Sequence, residues 1–101
     1  MGNTARYEMG YTPSEFKKTL QGQFTTKTCY SCKELSSNHC LISTEDGSMT
    51  VDIKIKESAP RKIAMLSLPV LNTHFQFNNA SESQKESFLK TFFKYFHKGG
   101  G

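Results

Sequence analysis

SESQKESFLKTFFKYFHKGGG, residues 81–101, is the stretch whose pattern decides the fold. Ser81 stands three residues before Gln84, the spacing at which two side chains satisfy each other's backbone N–H at a helix start. At about 100° per residue, Phe88, Leu89, Phe92, Phe93, Tyr95 and Phe96 fall on one broad arc. Lys90, Lys94 and Lys98 fall opposite. Lys94, His97 and Lys98 lie toward the negative end of the helix dipole. Gly99 is the expected stop, leaving residues 99–101 as a frayed glycine tail. A helix with so wide an aromatic face needs a layer to bury it, so Phe88, Phe92 and Phe96 are the expected core.

Upstream of this helix, alternation supplies the layer. Met49, Val51, Ile53 and Ile55 point one way and Thr50, Asp52, Lys54 and Lys56 the other, the period of a half-buried strand. Leu71, Thr73, Phe75 and Phe77 alternate in the same way with Asn72, His74 and Gln76. Glu45-Asp46-Gly47-Ser48 is a hairpin connection, with Asp-Gly supplying the left-handed backbone. It joins a short strand over 39–44 to the strand over 49–56. Ser58-Ala59-Pro60-Arg61 is expected to turn the chain. A strand over 62–68 follows, apolar on both faces, and Pro69 interrupts it because proline gives no donor to a ladder.

At the N-terminal side, Tyr7, Met9 and Tyr11 alternate with Arg6, Glu8 and Gly10, which predicts a strand over 5–11. Thr12, Pro13 and Glu15 form a second capping box with proline at the first helical position. A helix is expected over 13–21, burying Phe16 and Leu20 and ending at Gly22. Residues 23–38 carry only scattered apolar points and read as a short helix or a loop, with a turn at Ser36-Ser37-Asn38. The expected order is β-α-β-β-β-β-α. It describes an α+β domain with an antiparallel sheet of four or five strands, covered on one face by the two helices. Residues 1–101 make a single domain. The open face carries Arg6, Glu8, Asp52, Lys54, Lys56, Asn72, His74 and Gln76, and Ala64, Leu66 and Leu68 add an apolar strip.

Composition sets limits on function. Eight Phe and four Tyr among 101 residues argue for a packed core, since disordered chains are poor in aromatics. The net charge of +4 is mild beside the dense basic patches of nucleic-acid binders. Three cysteines, an odd number, do not fit a disulfide framework. With no signal-like or membrane-spanning apolar run, a cytoplasmic location with reduced thiols is expected.

Few residues suggest chemistry. Cys29 and Cys32 are spaced to grip zinc, with Cys40 or His39 nearby. But His39 and Cys40, if on a strand, face opposite ways. No nucleophile elbow, phosphate loop or paired-carboxylate spacing appears, and no cofactor is implied. The expectation is a small cytoplasmic binding or protein-interaction domain without its own catalysis. Its contact residues would be Lys54, Lys56, Arg61, Lys62, Leu66, Leu68 and His74, facing a protein partner or a second copy of the chain. Three other classes carry distinct signatures. The basic face could hold a nucleic acid or other polyanion. A Phe-lined cavity could hold a small apolar ligand. The Cys29/Cys32 pair, helped by Cys40, could hold zinc.

Overall fold

The computed structural model describes residues 3–96. The chain runs β1 (Thr4–Met9), α1 (Pro13–Thr19), a π-helical turn (Leu20–Phe24), β2 (Ser31–Ser36), β3 (His39–Ser43), β4 (Thr50–Ile63), β5 (Leu66–Asn78) and α2 (Glu82–Tyr95). The five strands form one antiparallel sheet in the order β1-β5-β4-β3-β2. The α+β architecture and the element order expected from the sequence are those of the structure. His97, Lys98 and the terminal glycines lie outside the described residues.

Both capping boxes are formed. Thr12 N–H donates to Glu15 Oε1 at 3.0 Å and Glu15 N–H to Thr12 Oγ1 at 3.1 Å. Ser81 and Gln84 exchange the same pair of bonds at 2.9 and 3.1 Å. Gly22, however, does not end the first helix, which winds on to Phe24. Phe16, Leu20 and Phe24 are all wholly buried at four-residue spacing. The wider turn is marked by Thr25 N–H donating to the Leu20 carbonyl at 3.0 Å, five residues back rather than four.

The core lies between the sheet's inner face and the helices. Met49, Val51, Ile53, Ile55, Leu71, Phe75 and Phe77 are buried from the sheet side and Phe16, Leu20, Phe24, Phe88, Phe92 and Phe96 from the helix side. The rings touch one another. Phe92 stacks on Phe96 at 4.1 Å between centroids and meets Phe75 edge-on at 4.9 Å. Such pairs add about 0.5–1.5 kcal/mol each to the burial of their area. Tyr7, on β1, closes the margin of the core edge-on against Phe93 at 4.8 Å.

Three boundaries differ from the sequence expectation. Residues 31–36 are a strand rather than a helix or loop. β2 is an edge strand with an exposed, unpatterned sequence, so no alternation advertised it. Ser58-Ala59-Pro60-Arg61 is not a turn, because β4 runs through it. Pro69 does not divide two strands, because β5 runs through it as well. Ser58 pairs with Val70 and Arg61 with Leu68, so one strand spends three steps where the other spends two. That is a β-bulge, and both prolines stand at it, where the ladder asks for no N–H. The actual turn is Ala64-Met65, between the paired residues Ile63 and Leu66. Ala64 supplies the left-handed φ of 55° that a two-residue hairpin connection needs.

β4 and β5 therefore outrun the sheet. β3 pairs with β4 no further than Lys54, and β1 pairs with β5 no further than Leu71. Beyond these points the two strands form a free two-stranded arm. Fourteen residues at about 3.3 Å each span about 46 Å, which matches the molecule's 47 Å long axis against 29 and 24 Å in the other directions.

Candidate functional site

The face of the sheet away from the helices is the open one. Arg6 and Glu8 from β1, Lys54 and Lys56 from β4, and Asn72 and His74 from β5 alternate with the core residues and point outward. The registers Arg6 with His74 and Lys54 with His74 set them side by side. Together with Asn38 they line a groove of about 420 Å³. At one margin of this face Asp52 accepts from His39 Nε2 at 2.7 Å and from Asn78 Nδ2 at 2.9 Å. Asp52 is thus committed to structure. Asn72 donates to the Ser58 hydroxyl at the foot of the arm.

The arm continues the same face. Directly paired residues on an antiparallel ladder share a side, so Arg61 with Leu68 and Ile63 with Leu66 project together, on the side of Val70 and Asn72. Lys62 and Ser67 project on the other side. All ten residues of 59–68 are exposed. The large apolar ones are Ile63 at 53%, Met65 at 98%, Leu66 at 64% and Leu68 at 41%. Arg61 Nη2 reaches back to Glu8 Oε1 on β1 at 3.1 Å, tying the foot of the arm to the groove. A second hollow of about 210 Å³ lies there, between Glu8, Arg61, Leu68 and Val70.

Of the contact residues expected from the sequence, Lys54, Lys56 and His74 meet in the groove. Arg61, Leu66 and Leu68 share the adjoining arm face. Lys62 is set apart on the arm's other side. Arg6 and Asn38 join the groove. Alternation alone puts Arg6 on the open face but assigns it no role. Asn38 is brought in because its carbonyl accepts from Ile55 N–H at 2.9 Å, a contact that needs the β2–β3 hairpin to exist. Among the described residues Met65 is the most exposed large apolar side chain, and a turn at 64–65 is what places it there.

The cysteines are arranged differently from the zinc expectation. Cys29 is exposed ahead of β2, Cys32 and Cys40 share the inner face of β2 and β3, and His39 points outward to Asp52. The Cys32 thiol donates toward Cys40, which raises the Cys32 pKa and lowers that of Cys40. Among the described residues no three His, Cys, Asp or Glu side chains converge as a metal would require. The phenylalanine rings pack on one another, and neither groove described above has one in its wall. No helix among the described residues is long and apolar enough to cross a membrane. No known protein family, curated protein or solved structure matches this chain.

Proposed function

We propose that this is a binding domain without catalysis of its own, which docks a protein partner through the β4–β5 arm and the basic face beside it. The observation that carries this is the arm itself, ten consecutive exposed residues ending in Ile63, Met65 and Leu66. A lone two-stranded ribbon is at best marginally stable in water, and an apolar patch rimmed by polar residues is the usual mark of a contact surface. The groove offers cations and amides, groups that hold a ligand in place. Three free thiols suit a reducing compartment such as the cytoplasm.

The arm is poorly suited to pairing with a second copy of itself. Pro60, Arg61 and Lys62 occupy one bare edge and Pro69 the other, and prolines and like charges discourage edge-to-edge association. A heterologous protein partner follows. The test is a photo-crosslinking amino acid placed at Met65 and, as a control, at the exposed Lys90 of α2, in cells that express the chain. Discrete adducts are expected from position 65 and not from 90, and Leu66→Ser with Leu68→Ser should abolish them. Identical adducts from both positions, or none from 65, would remove the reading.

A further inference from the structure

We infer that the groove between Arg6, Lys54, Lys56 and His74 is an anion site. It takes the acidic part of an extended peptide whose apolar part lies along Ile63, Leu66 and Leu68. The inference rests on the arm being a docking element and names the chemistry of what docks.

The charges point this way. Among the described residues the ion pairs are Lys17 with Glu34, His39 with Asp52 and Arg61 with Glu8. Arg6, Lys54 and Lys56 have no such partner, yet register holds them around one hollow. Arg61 is compensated by Glu8, so the arm beyond it presents apolar side chains on this face. The surface therefore changes from cationic to apolar along one line. From His74 to Leu66 is eight residues of strand, about 26 Å at 3.3 Å per residue, the reach of an extended peptide of similar length.

Other anions fit less well. A nucleic acid gains from aromatic rings exposed to its bases, and the outward row of this face carries no Phe, Tyr or Trp, His74 being its one ring. Tyr7 contributes to the groove wall, but its ring packs edge-on against Phe75 and Phe93. A nucleic acid held by the lysines would also leave the exposed Ile63, Leu66 and Leu68 of the arm without an apolar counterpart. A bilayer surface could meet the arm tip, but a plane does not enter a groove beside it.

The test uses a fluorescent synthetic peptide of about twelve residues, its first half alternating Glu and Ser and its second half Leu and Ser, so that one face carries all the anchors. Anisotropy with the full chain should show saturable binding. It should weaken several-fold from about 0.1 to about 1 M salt, where the screening length falls from about 10 to about 3 Å. Lys54→Glu with Lys56→Glu should weaken it roughly tenfold, from rim charges that each contribute modestly. Lys54→Gln with Lys56→Gln should weaken it less. Lys18→Glu with Lys90→Glu, the same charge change on the helix side, should leave it unchanged. Circular dichroism checks that every variant is folded.

No binding of the peptide overturns the inference, as does equal weakening by both charge reversals. Tighter binding through the same lysines to a single-stranded DNA of about 20 nucleotides, or to phosphatidylcholine vesicles with about a quarter phosphatidylserine, overturns it too. If the crosslinks from position 65 persist while the lysine variants bind peptide normally, the groove assignment fails and the docking arm stands. If the peptide binds through the lysines while position 65 gives no adduct, the arm fails and the anion site stands alone.

Discussion

Thr73 Oγ1 is the one buried side-chain oxygen or nitrogen among the described residues without a hydrogen-bond partner. Its residue is 1% exposed, in the inward row with Leu71, Phe75 and Phe77. A hydroxyl stripped of water without compensation is unfavourable, so Thr73→Val should stabilise the fold by about 1 kcal/mol, read as a higher midpoint in urea. Two glycines make a paired prediction. Neither Gly22 nor Gly47 has anything within 4 Å of the position a Cβ would take, but only Gly47 has a left-handed φ, of 72°. Gly47→Ala should therefore cost about 1 kcal/mol through backbone strain. Gly22→Ala should gain about 0.5–1 kcal/mol through lost freedom in the unfolded chain. Thermal melts of both variants decide it. At this scale the sequence was legible wherever period-two alternation operates, as at Val51, Ile53, Phe75 and Phe77. The meeting of Cys32 with Cys40 was not, because it depends on a register between two strands, one of which has no pattern.

Elements were legible in proportion to how far their own residues dictate them. α1 and α2 carry complete start signals at Thr12 and Ser81, and α2 carries its aromatic face. That face predicts the largest single effect. Phe92 is wholly buried and touches Phe16, Phe24, Phe75, Phe88 and Phe96. Phe92→Ala should cost about 3–5 kcal/mol, against a total of about 5–15 kcal/mol for a typical domain. Chemical denaturation checks this, and a cost below about 1 kcal/mol would contradict the packing described. The Asp46-Gly47 hairpin was legible because its chemistry is local. Asp46 Oδ1 accepts from Ser48 N–H and from the Thr44 hydroxyl, which holds its carboxyl below the ordinary range. β2 was invisible because an edge strand with both faces half-exposed needs no apolar period. The arm was misread because its turn, Ala64-Met65, has neither Gly nor Asn, while its two prolines imitate breaks. Only the facing register reveals that they share one bulge.

The whole molecule is a packed body with one projecting limb. The candidate site was partly legible for the same reason. The outward row Lys54, Lys56 and His74 follows from alternation alone, whereas its continuity with Leu66 and Leu68 follows from a ribbon longer than the sheet that carries it. Body and limb meet at Pro60 and Pro69, where neither strand offers an N–H. Separation along the ribbon, begun at the tip, runs into this gap before it reaches Leu71 and the core. The gap should act as a firebreak, so that loss of the limb is expected to cost the body little. A chain in which Asn-Gly joins Ser58 directly to Val70, a pair already in hairpin register, should melt as one cooperative unit close to the parent temperature while forming no contacts through the missing tip. Such a boundary leaves the tip free to change its sequence at little risk to the domain that holds it out.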